Sequence, residues 1–379
     1  MRILIIELEP THYKTDLWNA LVDSGKVDVS AVYTERRNWS PDGGHDYQRF
    51  PKDWYDKIVL NGKGASGALQ SALYVLRKIR KMAPDLIYVA GYVHFQTVLA
   101  ILYACLFGKR FAVHADVFNN GRPEGQFSKV KWLIREALRK LVFARAEAVL
   151  VCGRRGAETA LEAGCPKDKI RDFPYSVSLA RIQTDQPDVV VDECAEDIRA
   201  GRSIVLFSGR MIPRKGFVTL LQAMAGLETS TDWVLWAEGA GPQLQEYAST
   251  ASKSGIGERC RFLGFCQYDL HSWLMRSAHI VVVPSLEDSW GIVVDEGLQL
   301  GKAVISSDAT GSGYDRITHE VNGFVLPAGN ERDLGEVMEL LLGDRDLRGR
   351  MGAAAAASSA NVTPKDNVTT LLDIAQVKQ

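Results

Sequence analysis

The chain is poor in cysteine, in long apolar runs and in net charge. Its 6 cysteines among 379 residues show no Cys-x-x-Cys pair and no zinc-ligand spacing, which argues against a disulfide scaffold and suits a reducing cytosol. The longest apolar run, about Val98 to Phe107, is too short to span a bilayer. The opening stretch Met1–Glu7 is too short for a signal peptide and predicts a first strand. We therefore expect a cytoplasmic globular protein.

Several motifs of catalysis and cofactor binding are also missing. No Gly-x-Gly-x-x-Gly fingerprint follows the first predicted strand, which argues against a standard NAD site. The only Asp-x-Asp, Asp344–Asp346, lies in a polar region and is interpreted as surface charge. No Ser-His-Asp or Cys-His arrangement can be argued from spacing. The sequence therefore predicts neither a resident cofactor nor a bound metal ion.

The net charge is small but unevenly distributed. The formal charge of −1 gives no sign of a nucleic-acid partner. Residues 1–180 hold 27 Lys and Arg against 19 Asp and Glu, whereas residues 181–379 hold 18 against 27. Such asymmetry suggests that the first half faces something anionic, and a chance scatter of solvated charges is the alternative. The basic amphipathic stretch Ser128–Arg145 is typical of a helix on an anionic membrane or of a core-facing helix with a solvated basic face.

Short apolar runs alternate with helical patterns along the whole chain. Strands are predicted at Arg2–Leu8, Val27–Thr34, Leu86–Ala90, Arg110–His114, Ala148–Cys152, Ser203–Ser208, Trp233–Glu238, Arg261–Phe265, His279–Pro284 and Ala303–Ser307. Helices are predicted at Lys14–Ser24, Ala68–Met82, Phe95–Phe107, Lys129–Ala144, Arg154–Ala163, Phe217–Leu227, Pro242–Ser254, Ile292–Leu300 and Glu331–Leu342. This alternation predicts an α/β protein with parallel sheets covered on both faces.

The β-α pattern restarts near residue 203, and the length also favours more than one domain. We place an interdomain link near residues 174–184. We expect a first doubly wound, Rossmann-like domain at 1–178, a second at 179–362, and a C-terminal helix at 363–379 that returns to the first domain. In sheets of this kind ligands bind beyond the carboxyl ends of the strands. Two such domains would face each other across a cleft.

The most informative stretch is His279–Asp308, which reads HIVVVPSLEDSWGIVVDEGLQLGKAVISSD. It predicts a buried strand, a short loop, a helix beginning near Gly291, and a second buried strand. The free N–H groups of that helix would favour an anion such as a nucleotide diphosphate. Asp288 and Glu296 can accept hydrogen bonds from sugar and ribose hydroxyls. A plain buried βαβ unit would need neither the acidic loop nor the Trp-Gly turn.

A second anion-binding loop follows the predicted strand Ser203–Ser208. In Gly209–Gly216, Arg210 offers a bidentate fork to phosphate and Lys215 adds a point charge. Its two terminal glycines permit close backbone approach. The alternative is a loop with ordinary surface cations.

Two weaker features remain. The turn Ala237–Pro242 is another strand-to-glycine loop and carries Glu238, but many α/β proteins turn this way. His114 ends a strand, where it can hydrogen-bond a bound sugar or serve as a structural histidine.

Together these segments resemble glycosyltransferase family 4, retaining enzymes with the GT-B fold. Gly209–Gly216 resembles the family's phosphate-gripping Arg and Lys segment, and Pro284–Gly301 resembles its Glu-x7-Glu segment, with Asp288 and Glu296 at the acidic positions. Further family landmarks are Leu263–Phe265, Asn322–Phe324, His114 and, in altered form, the linker Phe173–Ser178. The chain departs from the family in having Asp at the first acidic position and Glu9-Pro10 where a glycine pair is usual.

The resemblance implies a hexosyl- or N-acetylhexosaminyl-type transferase that takes a nucleotide-diphosphate sugar as donor and needs no metal ion. The second domain would hold the donor and the first the acceptor. The implied catalytic residues are Arg210, Lys215, Asp288 and His114. The implied donor-binding residues are Gly209, Arg210, Lys215, Glu238, Asp288, Trp290, Gly291 and Glu296. On the acceptor side we expect His12, Tyr92 and His94.

We expect this transferase to act in lipid-linked or cell-surface polysaccharide assembly, at the inner face of the membrane. A small soluble acceptor, such as a natural product or metabolite, is the main alternative. A non-transferring nucleotide-sugar-binding protein or an epimerase on the same fold is a third. The donor's base and sugar, the acceptor and linkage, and the oligomeric state stay open at the level of sequence.

Overall fold

The structure is a computed structural model that describes residues 1–8, 11–34, 55–57, 65–116, 126–184, 187, 190–228 and 230–376. Glu9 and Pro10, which stand where the resembled family usually has a glycine pair, lie outside these residues. The chain divides into two compact units. The first comprises Met1–Tyr175 and Pro364–Gln379, and the second comprises Ser176–Thr363.

The first unit contains a seven-stranded parallel sheet in the order β3-β2-β1-β4-β5-β6-β7. Its strands are β1 (Arg2–Glu7), β2 (Asp28–Tyr33), β3 (Tyr55–Lys57), β4 (Leu86–Ala90), β5 (Phe111–Ala115), β6 (Ala148–Val151) and β7 (Ile170–Asp172). Its helices are α1 (His12–Asp23), α2 (Ala65–Met82), α3 (Phe95–Leu106), α4 (Gln126–Arg145), α5 (Gly153–Glu162) and α15 (Pro364–Gln376). The strand order reverses at β1, where a doubly wound sheet binds its ligands.

The central strands of this sheet are buried on both faces. On one face Val75 of α2, Ile101 of α3 and Val142 of α4 pack in one apolar cluster. On the other face Leu21 of α1 and Leu371 of α15 belong to a second cluster. Near-continuous apolar strands are what such two-sided burial requires.

Helix α15 belongs to the first unit although it follows the second along the chain. The Arg110 guanidinium donates to the carbonyls of Ile374 at 2.6 Å and Ala375 at 2.9 Å. Asn367 Nδ2 donates to the Pro174 carbonyl at 2.6 Å. The two Arg110 bonds satisfy carbonyls in the last turn of α15, which have no partner within the helix, and the Asn367 bond ties the first turn of α15 to the segment after β7.

The second unit contains a six-stranded parallel sheet in the order β10-β9-β8-β11-β12-β13. Its strands are β8 (Ser203–Ser208), β9 (Trp233–Glu238), β10 (Cys260–Gly264), β11 (Ile280–Val283), β12 (Ala303–Ser307) and β13 (Phe324–Leu326). Its helices are α6 (Leu179–Thr184), α7 (Asp192–Arg199), α8 (Phe217–Ala225), α9 (Leu244–Lys253), α10 (Tyr268–Ser277), α11 (Ile292–Gln299), α12 (Gly311–Arg316), α13 (Glu331–Gly343) and α14 (Arg345–Ser359).

The predicted fold class is confirmed, since both units are parallel sheets enclosed by helices. Strands β4, β8, β9 and β12 have the predicted bounds. The edge strands β3, β7 and β13 were not predicted, because three residues are too few to show a periodic pattern. Helix α10 was also missed. Among the described residues, no helix has both the length and the apolar character needed to cross a membrane.

Candidate functional site

The loops that follow the carboxyl ends of β8, β9 and β11 are in close backbone contact. Gly216 adopts a φ of +67°, and a Cβ there would lie 1.9 Å from the carbonyl oxygen of Pro284. Gly239 adopts a φ of +134°, and a Cβ there would lie 1.8 Å from the carbonyl oxygen of Gly209. Only glycine fits either position, because both the left-handed backbone and the available space exclude a side chain.

The structure brings together two of the predicted site residues from different loops. Lys215, after β8, forms an ion pair with Asp288, after β11. Their side chains are 17% and 9% exposed, respectively. Beside them the Arg214 guanidinium donates to the Glu287 carbonyl at 3.0 Å. The predicted phosphate-binding cation and the predicted sugar-binding carboxylate are therefore direct neighbours.

Helix α11 begins at the same place. Its N-cap is Gly291, with a φ of +88°. A Cβ at Gly291 would lie 2.5 Å from Thr310 Cγ2 and 3.4 Å from Asp288 Oδ2. Ser312 Oγ lies 2.7 Å from the carbonyl oxygens of both Trp290 and Gly291, and its single O–H can donate to either. The predicted start of this helix is confirmed, and its first-turn N–H groups lie beside the ion pair.

The Trp290 side chain holds the segment before α11 in place. It is buried, and its indole N–H donates to Asp295 Oδ2 at 2.7 Å. Arg316 lies 5.4 Å from the indole centroid and donates to Asp295 Oδ1 at 3.3 Å. Burial raises the pKa of Asp295 to about 7, against the opposing effect of Arg316 and of the indole hydrogen bond. Any contact of Trp290 with a ligand therefore falls to its main chain.

Glu238 and Glu296 are joined by a histidine that the sequence did not single out. His271, in α10, has Nδ1 2.8 Å from Glu238 Oε2 and Nε2 3.2 Å from Glu296 Oε2. The Tyr268 hydroxyl donates to Glu296 Oε1 at 3.4 Å. A single histidine in an unpredicted helix carries no recognisable spacing, so only the folded chain reveals this contact.

The two remaining residues predicted for donor binding on this loop, Gly209 and Arg210, directly follow β8. Arg210 is exposed, and Gly209 is partly buried. A Cβ at Gly209 would lie 3.9 Å from Lys215 Cδ. Arg210 thus stands on the same loop as the Lys215 ion pair.

His114 lies in the first unit, at the carboxyl end of β5. It is buried, with Nδ1 2.6 Å from the Tyr88 hydroxyl and Nε2 3.4 Å from Cys152 Sγ. Burial, reinforced by the positive charge of Lys14, lowers the pKa of His114 to about 3. The imidazole is therefore neutral at physiological pH and can both donate and accept a hydrogen bond.

His114 also belongs to a small group of potential metal ligands. Among the described residues, ligand atoms of His114, Asp116 and Cys152 lie within 4.8 Å of one another. Cys152 Sγ lies 3.7 Å from Asp116 Oδ1, and the Tyr175 hydroxyl donates to that oxygen at 2.6 Å. The group combines donor types that zinc accepts, but its members already bind one another and their tyrosine neighbours.

The residues predicted for the acceptor side follow β1 and β4 of the first unit. A series of aromatic contacts connects His12 with His114: His12 lies 5.1 Å from Tyr13, Tyr13 lies 4.5 Å from Tyr175, and Tyr175 lies 5.4 Å from His114, all between ring centroids. Tyr92 is buried, and burial raises its pKa. His94 lies immediately before α3 and is partly buried.

Comparison with known proteins identifies the class. Residues 10–176 match the family model of a glycosyl transferase 4-like domain, and residues 193–358 match that of glycosyl transferases group 1. The chain is 25% identical over 325 residues to an alpha-D-kanosaminyltransferase of Streptomyces kanamyceticus, an alignment that covers 81% of this chain and 80% of that one. It is 28% identical over 213 residues to the lipopolysaccharide core biosynthesis glycosyltransferase LpsE of Rhizobium meliloti, covering 56% and 59%.

Solved structures share the fold over the full length. A crystal structure of HepE from Anabaena in complex with UDP and glucose has a TM-score of 0.75, 16% sequence identity and coverage of 98% of both chains. With the matching family models, this likeness defines the protein as a glycosyltransferase with the GT-B fold. The chain belongs to glycosyltransferase family 4, as its motifs predicted.

Proposed function

We propose that this glycosyltransferase moves a hexosyl or N-acetylhexosaminyl group from a nucleotide-diphosphate sugar to an acceptor, with retention of configuration at the anomeric carbon. The observation that carries the proposal is the meeting of Lys215, Asp288 and the N-terminus of α11 at one edge of the second sheet. A cation, a carboxylate and a helix N-terminus are the groups that a sugar joined to a diphosphate requires.

The second unit would hold the donor. As the glycosidic bond breaks, negative charge develops on the departing diphosphate. Arg210, Lys215 and the first-turn N–H groups of α11 would stabilise that charge without a metal ion. Glu296 would accept hydrogen bonds from the ribose, and Asp288 from the sugar.

The remaining donor contacts are assigned by position. Glu238 and Glu296 both contact His271, so Glu238 would line the same part of the donor site as Glu296. Main-chain groups of Trp290 and Gly291 would place the sugar and phosphate, and Gly209 would let the diphosphate approach the backbone.

His114 would contact the transferred sugar. A thiol is a weak hydrogen-bonding partner, so Nε2 can exchange its contact with Cys152 for a sugar hydroxyl at little cost. Tyr88 would meanwhile hold Nδ1 and so orient the ring. His12, Tyr92 and His94 would contact the acceptor.

Retention is best explained by attack of the acceptor on the same face from which the diphosphate leaves. The acceptor oxygen bonds to the anomeric carbon as the bond from that carbon to the phosphate oxygen breaks. The acceptor proton passes to the departing phosphate. Asp288, the carboxylate assigned to the sugar, is paired with Lys215, which makes it a poor nucleophile. A trapped covalent glycosyl-enzyme would contradict this scheme.

Exposed side chains on α2, α3 and α4 of the first unit favour an acceptor at a membrane. Exposed apolar side chains occur on α3 and α4, among them Leu106 at 77% and Ile134 at 63% exposure. Exposed basic side chains occur on α2 and α4, among them Arg80, Lys81, Lys140 and Arg145. Apolar groups set among cations favour an anionic lipid surface, and hence a lipid-linked or cell-surface glycan as the product. LpsE and its lipopolysaccharide core role provide a precedent among relatives.

The first test is a thermal-shift screen with UDP, GDP, ADP and dTDP and their common sugar conjugates. The wild type is compared with Arg210→Ala and Glu296→Ala. One nucleotide that raises the melting temperature only of the wild type supports the donor site, and NMR of the product's anomeric proton then tests retention. No shift with any nucleotide would contradict donor binding by the free enzyme. Transfer to a soluble acceptor without lipid or detergent would favour the small-acceptor alternative.

A further inference from the structure

His271 occupies an unusual position between two buried carboxylates. It is 8% exposed, whereas Glu238 is 6% and Glu296 is 1% exposed. One ring nitrogen faces Glu238 at 2.8 Å and the other faces Glu296 at 3.2 Å. A buried carboxylate without a partner is costly, and this single side chain provides a partner to both.

The imidazole can serve both carboxylates only when it is protonated. A neutral ring has one donor nitrogen and one acceptor nitrogen, so a lone pair would face one carboxylate. Burial alone would lower the pKa of His271, but Glu238 and Glu296 outweigh burial and raise that pKa well above its usual value. The ring is therefore an imidazolium that donates two charge-assisted hydrogen bonds.

Helix α10 holds both oxygens of Glu296. His271 contacts Oε2, and the hydroxyl of Tyr268, three residues earlier on the helix, donates to Oε1 at 3.4 Å. Residues three apart lie on one helix face.

We propose that His271 is a positioning residue that holds the Glu296 carboxylate in place for the ribose hydroxyls of the donor, and thereby makes the site selective for ribonucleotides over deoxyribonucleotides. The inference rests on the proposed function, in which Glu296 binds the ribose. A fixed carboxylate rejects an analogue that lacks the hydroxyl, because the bound analogue shields the carboxylate from water without returning a hydrogen bond. An unfixed carboxylate turns away and discriminates less.

The test compares UDP, GDP and ADP with their 2′-deoxy and 3′-deoxy counterparts by isothermal titration calorimetry. The proteins are the wild type, His271→Gln and the matched control His319→Gln, which replaces a histidine of the same unit that is 50% exposed. We expect the wild type to prefer at least one ribonucleotide by about tenfold or more. His271→Gln should weaken ribonucleotide binding about tenfold while deoxynucleotide binding stays unchanged.

Two further variants separate positioning from folding. Tyr268→Phe removes the hydroxyl that contacts Oε1 and should reduce the ribose preference about two- to threefold. Glu296→Gln should abolish the preference for ribonucleotides. In the double variant, His271→Gln should cause no further loss of ribonucleotide binding, because both substitutions act on the same interaction. In steady state the His271→Gln change should appear in KM rather than kcat.

The outcomes distinguish this inference from the proposed function. Equal weakening of ribonucleotides and deoxynucleotides by His271→Gln would show a merely structural role and overturn the inference. Nucleotide binding by the wild type with no ribose preference would also overturn it, and would leave the donor site standing. Failure of every nucleotide to bind the wild type would overturn the donor site itself, and the assignment of Glu296 with it.

Discussion

Lys215 and Asp288 form an ion pair between the loop after β8 and the loop after β11. The residues are 73 positions apart in the sequence, yet they are the two groups that the phosphate and the sugar of a donor would each require. The pair keeps the Lys215 ammonium in place before any ligand arrives, and it neutralises a carboxylate that is largely removed from water.

Replacing Lys215 by Met should impair both stability and transfer. The substitution leaves the buried Asp288 carboxylate without its cation, which we expect to cost about 2–3 kcal/mol of unfolding free energy. Loss of a group that stabilises the leaving diphosphate should lower kcat about 100-fold or more. Urea unfolding and a donor-turnover assay measure the two effects. Lys253→Met, at an exposed position in the last turn of α9, is the control, and equal behaviour of the two variants would argue against a role for the pair.

The loops after β8 and β11 approach each other closely at Gly216. Replacing Gly216 should therefore lower the unfolding free energy more than replacing a glycine that has a similar φ but open space around it. Gly201 has a φ of +71° with nothing within 4 Å of a built Cβ, whereas a Cβ at Gly216, with a φ of +67°, would overlap the Pro284 carbonyl. Gly201→Ala should cost about 1 kcal/mol through its backbone alone. Gly216→Ala should cost about 3 kcal/mol or more through the added overlap. Equal losses in urea unfolding would mean that the loops can separate freely.

His114 should make the protein sensitive to acid. Its folded-state pKa of about 3 lies below the ordinary value of 6.5, so the unfolded chain binds the extra proton. The stabilisation from the neutral ring is present above pH 6.5 and declines as the pH falls towards 3, by about 1.4 kcal/mol per pH unit. The unfolding free energy of the wild type minus that of His114→Gln should therefore fall between pH 7 and pH 5. A difference independent of pH over this range would refute the neutral, buried imidazole.

The apolar and basic surface of α3 and α4 should bind anionic vesicles. We expect cosedimentation with vesicles that contain phosphatidylglycerol at low salt and weaker binding as salt rises, because the attraction of the cations is screened. Leu106→Asp with Ile134→Asp should abolish binding. Val321→Asp, which changes a 57% exposed apolar residue of the second unit, should leave it intact. Binding that salt does not weaken would contradict the electrostatic part of this prediction.

Much of the fold followed from local patterns. Strands β8, β9 and β12 were predicted to the residue, because each is an almost unbroken apolar run bounded by polar or glycine residues. The three-residue edge strands β3, β7 and β13 were missed, since a strand such as β7 is short and mostly exposed and lacks that signal. The longer edge strand β10 was predicted one residue late, at Arg261–Phe265. Edge strands are defined by the neighbour they pair with, and a single segment of sequence does not contain that neighbour.

Sequence alone drew attention to Asp288, Gly291 and Glu296, because their chemistry and spacing coincide in one loop and the helix that follows it. The candidate site was not predictable where partners come from distant segments. His271 needed an unpredicted helix to bring it between Glu238 and Glu296. The sequence analysis placed Trp290 among the donor contacts. The burial of its indole and the hydrogen bond from the indole to Asp295 depend on tertiary packing, which the spacing of residues along the sequence does not reveal.

The return of α15 to the first unit has a consequence for biosynthesis. The second unit is one uninterrupted stretch, Ser176–Thr363, whereas the first needs Pro364–Gln379 to cover one face of its sheet. Domains fold as units as the ribosome extends the chain. The second unit can therefore complete its core first. In the earlier-made first unit, the part of the apolar sheet face that α15 covers stays exposed beside α1 until α15 emerges, so we expect a chaperone to bind there.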